Sequence, residues 1–198
     1  LYRVDSAGVG TPLGGGIAPG ARPVTMADNG VQLDVADGTN GFTYNTSTLT
    51  WAQIADVDFY AANVVSFNDS YFMFDRKDTN QFFSSTSNDG TTYPALFYAS
   101  AETQSDKVLA PINHLQQLLI AGSKSIEIWY LSGGTNFPWS RYQGAAVQVG
   151  LAGPYAYAKH KEALFFLGHD KVFYRLEGPN PVRVSKHGQE TAFASYGD

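Results

Sequence analysis

The chain has 198 residues, 43% of them hydrophobic and 14% aromatic, enough apolar mass for one good-sized core or a row of smaller ones, which excludes a disordered chain. Thirteen Lys and Arg against 18 Asp and Glu leave a net charge of −5, so a surface generically attracted to nucleic acid is disfavoured and any DNA contact has to be local or made by an assembly. Cysteine is absent, which removes disulfide frameworks and thiolate metal sites, and no apolar run approaches the ~20 residues of a membrane-spanning helix.

Residues 1–23 hold six glycines between Gly8 and Gly20, with Pro12, Pro19 and Pro23, a density hostile to helix and strand alike. They read as an extended or flexible Gly/Pro-rich arm. From Val24 to His187, short β-type runs alternate with turn pairs such as Asn29-Gly30, Asp37-Gly38, Asn40-Gly41 and Asp89-Gly90, which favour positive φ. One phrase recurs four times: an apolar-rich run, a polar break and a second apolar-rich run. Its copies are anchored at Val31, Tyr71, Leu118 and Leu164, in steps of 40, 47 and 46 residues. Paired strands at a period of roughly 40 to 50 residues are the signature of a propeller blade, so the expected fold is all-β, with about four antiparallel blades across residues 24–187.

Each copy extends to four strands. The first blade takes Val24–Asp28, Val31–Val35, Phe42–Asn45 and Leu49–Ile54, and the second Asn63–Asn68, Tyr71–Asp75, Phe82–Thr86 and Ala95–Ala99. The third takes Val108–His114, Leu118–Gly122, Ile126–Leu131 and an undefined outer strand after Phe137; the fourth takes Tyr155–Lys159, Leu164–Gly168, Val172–Leu176 and Pro181–Ser185. Ala101–Leu109 is the one stretch with helical periodicity, and residues 188–198 read as a tail or the start of further sequence. The chain begins at Leu1 and stops soon after the fourth copy, so it reads as a piece of a longer protein or a processed one. A partial ring leaves blade faces that something has to cover.

The candidate chemical residues are mostly turn residues. His114 and His160 stand 46 residues apart, at equivalent places in the repeat, and His169 and His187 lie in a hairpin and the tail without a metal-ligand spacing. Asp34, Asp37, Asp56, Asp58, Asp75 and Asp78 could supply the paired carboxylates of a glycosidase, but Asp37, Asp75 and Asp78 sit at hairpin connections, where Asp caps its own turn. Residues 34–40 offer oxygens to calcium without EF-hand spacing. Residues 87–93 look like the Asp-box turn of sialidase-type propellers, one residue short and ending in Tyr93. Arg3, Arg22, Arg76, Arg141, Arg175 and Arg183 are scattered along the sequence, which argues against a sialidase's carboxylate-binding arginine cluster. Neither Gly14–Gly16 nor Gly150–Gly153 has the ending of a phosphate loop, and a nucleophile elbow is lacking. No catalytic residue, cofactor or metal site is expected.

Four phrases carry a family likeness: residues 119–130, 135–141, 150–158 and 163–168. They resemble the packaged-DNA stabilisation proteins of short-tailed phages, also called tail accessory or tail hub proteins, through Gly122, Ile126, Glu127, Trp129, Gly150, Ala152 and Tyr155. The likeness covers roughly residues 57–187 and is weak over the arm and first blade. It implies a non-enzymatic virion structural protein that docks below the portal, self-associates in a ring around the tail axis, contacts portal, adaptor and fibre or spike proteins, and helps retain DNA, which it touches only within the assembly. It also implies tail localisation after assembly in the host cytoplasm. The bulky loop 133–146 is the expected partner contact through Phe137, Trp139, Arg141 and Tyr142, since exposed aromatics beside an Arg anchor interfaces. Folding of Phe137 and Trp139 back onto the third blade is the alternative. A propeller lectin or receptor-binding protein is the second functional reading and a glycosidase the third.

Overall fold

The computed structural model describes residues 2–20, 22–104 and 106–196. Four antiparallel meanders follow one another, each with its strands in chain order. The first blade is β3 (Thr25–Asp28), β4 (Gln32–Ala36), β5 (Gly41–Asn45) and β6 (Thr50–Gln53), preceded by a short ribbon of β1 (Tyr2–Val4) and β2 (Gly10–Pro12). The second is β7 (Val65–Asn68), β8 (Tyr71–Asp75), β9 (Gln81–Ser84) and β10 (Tyr98–Ser100). The third is β11 (Val108–His114), β12 (Gln117–Gly122), β13 (Ile126–Leu131) and β14 (Trp139–Val147); the fourth is β15 (Tyr157–His160), β16 (Ala163–Leu167), β17 (Phe173–Glu177) and β18 (Asn180–Arg183). The protein is therefore nearly all-β and propeller-like, with one short helix among the described residues, α1 (His187–Ser195), after the last blade.

Local chemistry explains the turns. Asp37 Oδ1 accepts the backbone N–H groups of Thr39 and Asn40 at 2.8 and 2.7 Å, closing the β4–β5 connection around Gly38, whose φ is +87°. The β11–β12 turn holds both Leu115 and Gln116 at positive φ, 49° and 61°. Positive φ at two successive residues matches the twist of a tight hairpin, and here residues other than glycine bear its steric cost.

The first strands of the blades gather around an axis. A recess of about 360 Å³ is lined by Met26, Val65, Ile112 and Tyr157, one from each first strand. Three apolar clusters then join neighbouring blades. Ala36 meets Phe72, Phe74 and Tyr93 between blades one and two; Met73 and Phe82 meet Leu118 and Trp129 between two and three; Ile126 and Ile128 meet Leu164 and Phe166 between three and four. Among the described residues no such cluster joins blade four to blade one. A bond from Tyr155 Oη to the Pro23 carbonyl, at 3.3 Å, spans that side.

Three sequence expectations change. The arm is not merely extended: residues 2–12 form the β1–β2 ribbon, and residues 14–18 lie on the face of blade one turned away from blade two. Trp51 Nε1 donates to the Gly15 carbonyl at 3.0 Å, Ala18 N–H donates to Asp37 Oδ2 at 2.7 Å, and a Cβ on Gly14 would stand 2.1 Å from the Trp51 ring. Glycine is used there for close approach to the indole, which itself stacks on Phe42 with ring centroids 5.0 Å apart. The described residues of 101–109 are turn and the start of β11 instead of helix; Ser105 lies outside the described residues, as do Leu1 and Ala21 of the arm. Helix forms within the expected tail, where Lys186 N–H donates to Gln189 Oε1 at 2.9 Å and Glu190 accepts from Arg183 Nε at 2.7 Å; Gly197 and Asp198 are not described.

Candidate functional site

The outer strands of blade three carry the residues expected to meet a partner, and the pleat separates them. Along β13, Ile126 and Ile128 face blade four, while Glu127 and Trp129 face blade two. Trp139 opens β14 opposite Leu131 and is 3% exposed, seated in the cluster between blades two and three with its ring edge-on to Tyr71. Phe137 packs edge-on against Phe82 at 5.6 Å. Trp139 is thus core, and Phe137 is half-buried against the same cluster, because filling the apolar cleft beside them outweighs exposure.

Arg141 is also turned inward. Its Nη1 donates to Glu127 Oε1 at 3.0 Å and to Thr103 Oγ1 at 3.3 Å. Glu127 is 1% exposed, and it also accepts the backbone N–H groups of Glu102 and Thr103 on Oε1 and Trp129 Nε1 on Oε2, the last at 3.0 Å. Burial alone would push this carboxyl up; the bonds from Thr103, Glu102 and Arg141 outweigh it and hold the group below the usual carboxylate range. Tyr142 alone of the expected four stays at the surface, 43% exposed, with its ring 4.5 Å from that of Tyr130. Glu127 is the residue that the sequence left without a role of its own. The signal was an acid on a strand whose neighbours Ile126, Ile128 and Trp129 are all bulky and apolar.

Most of the carboxylates are likewise bonded within the fold, although Asp34 Oδ1 is buried without a hydrogen-bond partner among the described residues. Asp34 Oδ2 accepts Tyr93 Oη at 3.1 Å across the seam between blades one and two, and burial drives Asp34 up to about 7. Asp75 accepts Asn63 N–H, Asn63 Nδ2 and Val64 N–H, and burial drives it up to about 6 against those bonds. Asp56 caps Asp58 N–H with one oxygen and holds Tyr93 N–H with the other. Asp78 pairs with Lys107 at 2.9 Å. Asp34 faces Tyr93 across the blade seam while Asp37 caps its own turn and holds Ala18 of the arm, so the two carboxylates serve different partners.

The Asp-box-like segment is a turn: Asp89 accepts Thr91 N–H and the hydroxyls of Thr91 and Thr92, while Tyr93 reaches back to Asp34. Both His114 and His160 line one recess of about 660 Å³ between blades three and four, as repeat-equivalent ends of first strands. Burial and the nearby Lys159 push His114 down. His169 Nδ1 accepts Gly150 N–H at 3.3 Å. Among the described residues no three His, Asp or Glu side chains are placed to hold a metal ion.

Two glycines of the phage-like phrase, Gly122 and Gly150, are packing residues. A Cβ on Gly122 would stand 2.4 Å from Asp106 Oδ2, and one on Gly150 would stand 2.3 Å from the Lys124 backbone nitrogen. Close approach of neighbouring atoms, a side-chain oxygen at Gly122 and backbone at Gly150, requires glycine at both positions.

A family model described as bacteriophage P22 Gp10, β-propeller, matches residues 1–195. No curated protein matches the sequence. Solved structures similar in fold include BamB from Moraxella catarrhalis, at 10% identity and TM-score 0.52, covering 82% of this chain and 51% of that one. PorZ, a surface component of the type-IX secretion system of Porphyromonas gingivalis, matches at 11% identity and TM-score 0.50, with 82% and 21% covered. Hsv2 from Kluyveromyces marxianus matches at 10% and 0.50, with 81% and 49% covered. The chain thus spans about half of BamB or Hsv2 and about a fifth of PorZ, and at these identities the likeness concerns the fold alone.

Proposed function

Since the chain belongs to the phage-stabilisation family of bacteriophage P22 Gp10 β-propellers, we propose that it is a non-enzymatic structural protein of a phage tail, a hub or adaptor that docks below the portal and helps retain packaged DNA. The match along nearly the whole chain is the observation that carries this reading. Two structural features support it. Carboxylates and the arginine that could have built a catalytic or sugar-acid site are committed to turns and seams: Asp56 to Tyr93, Asp75 to Asn63 and Arg141 to Glu127. The fourth blade also has an outward face bearing Phe165 and Phe173, stacked at 6.0 Å, with no apolar cluster among the described residues joining it to blade one.

An open blade face is a surface for self-association in a ring, each copy covering its neighbour's uncovered sheet. The partner contact at the rim of blade three narrows to the exposed Tyr130–Tyr142 pair. Assembly with portal and adaptor proteins, DNA retention and tail localisation all follow from this role. The experiment is reconstitution: purified chain mixed with portal–adaptor rings of the phage that encodes it, read by sedimentation and particle imaging. Stoichiometric binding below the ring is the expected result. Failure to bind, with soluble and folded chain, overturns the proposal; hydrolysis of a glycoside or capture on a glycan array would replace it with the enzyme or lectin reading.

A further inference from the structure

Four segments from four blades converge at one mouth of the central axis. Arg22 and Pro23 lead into β3, Lys77 and Asp78 form the β8–β9 hairpin, Lys107 leads into β11 and Tyr155 leads into β15; Arg22, Lys77, Asp78, Lys107 and Tyr155, together with Asn63, line a recess of about 280 Å³. The charges on the lining are unbalanced, three cations to one carboxylate, Asp78, with a second carboxylate, Asp75, buried behind Asn63. Lys107 takes that carboxylate, Asp78, at 2.9 Å. Among the described residues Arg22 and Lys77 bond only neutral acceptors, Arg22 Nη1 donating to Asn63 Oδ1 at 3.5 Å and Lys77 Nζ to the Gly38 carbonyl at 2.5 Å. Asp78 feels all three: its carboxyl lies below the usual range through the bond and charge of Lys107 first, then the charges of Lys77 and Arg22.

We propose that this recess is a phosphate-binding site, in which Arg22 and Lys77 supply the donors, Lys107 turns from Asp78 to the ligand, and Asp78 is the resident anion that the phosphate displaces. An Arg fork beside two lysines suits the tetrahedral oxygens of phosphate, and such charge-assisted bonds are the strong ones. The chain's net charge of −5 makes a three-cation recess a local feature instead of a consequence of composition. The same chemistry is offered by free phosphate and by a nucleic-acid backbone, and the site stands or falls independently of the tail-hub reading.

The test uses the full chain. Inorganic phosphate is titrated while the amide resonances of Asn63, Asp78 and Tyr155 are followed, with chloride at matched ionic strength as the control. A saturable response is expected, weakened ~10-fold by Arg22→Gln or Lys77→Gln, the loss of one charge-assisted bond. Asp78→Asn is expected to tighten binding, a response that a purely structural Asp78 would not give. A short DNA duplex forms the second arm. Displacement of phosphate by duplex, with the salt slope of duplex binding reduced by about 1 in Arg22→Gln, identifies the backbone as the source; binding of phosphate without displacement identifies the free ion. Absence of a saturable phosphate response in the folded wild type, or unchanged affinity in Asp78→Asn, overturns the site.

Discussion

Arg141 Nη1 lies 3.0 Å from Glu127 Oε1 across the β13–β14 pair, joining an almost fully buried carboxylate to the only guanidinium within reach of it among the described residues. A buried ion pair is costly to break, because removing one partner leaves the other charged and desolvated. Arg141→Met is therefore expected to lower stability by about 3 kcal/mol in urea unfolding. Arg141→Met combined with Glu127→Leu is expected to recover part of that loss, while equal stability of the single variant and the wild type would remove the strut role.

Asp34 and Asp75 give the protein a pH dependence opposite in sign to that of paired carboxylates. Their folded values, about 7 and about 6, lie above the ordinary 3.8, so between pH 4 and 7 the folded chain holds protons that the unfolded chain has released. That contribution is complete below about pH 4 and is lost as pH rises through 6 and then 7. Tm is accordingly expected to be several degrees higher at about pH 5 than at about pH 8, at ~2–4 °C per kcal/mol for a domain of this size. Asp34→Asn should flatten the profile; a profile unaltered by this change would assign the dependence elsewhere.

Glu127 follows the usual carboxylate rule. Its folded value is depressed, so its contribution is present above the unfolded value and lost as pH falls through the folded one. Acid unfolding is expected to begin at a higher pH in Arg141→Met than in the wild type, because the guanidinium is one of the groups holding that carboxyl down. Circular dichroism across an acid titration measures it.

The arm is held on blade one by a glycine under an indole. A side chain at position 14 would overlap the Trp51 ring, with Cβ only 2.1 Å away. Gly14→Val is expected to dislodge the arm and cost about 1–3 kcal/mol, the range for forcing extra methyls into a packed site. Trp51 emission should shift to the red as the Gly15 carbonyl leaves its Nε1. Unchanged emission would mean that the arm adapts without leaving.

Blade four's outward face gives the self-association prediction. Phe165→Glu places a charge beside Phe173 and Arg175 on a sheet face that has no neighbouring cluster among the described residues. If copies cover one another there, native mass measurement should find oligomers of the wild type that become monomers in Phe165→Glu, with the melting curve little changed. A wild type that stays monomeric at high concentration would leave this face to other chains.

Much of the architecture could be read directly. The anchors Val31, Tyr71, Leu118 and Leu164 fall in or beside the second strands β4, β8, β12 and β16, and Tyr71–Asp75, Val108–His114 and Ile126–Leu131 match the observed strands residue for residue. Period-two burial and turn chemistry are local properties, so they survive without tertiary information. The helix at His187–Ser195 escaped because its apolar content is low and its anchorage is the non-local Glu190–Arg183 pair.

The rim of blade three shows where local reading ends. Phe137, Trp139, Arg141 and Tyr142 share a bulky, interface-like composition, yet Trp139 is buried, Phe137 and Arg141 are half-buried against inward partners, and Tyr142 faces water. Nothing in their own segment says that Phe82 and Trp129 leave a cleft for Phe137, or that Glu127 waits for Arg141; those partners lie up to 55 residues away in the chain. The sequence by itself determined the repeat, the blades and the family likeness, because each rests on short local patterns of apolar runs and turn residues that recur along the chain. Only the tertiary structure decided which aromatic is core, which carboxylate is strut or turn, and which cations meet at the axis, because burial and charge pairing are properties of surfaces that the chain brings together from distant segments.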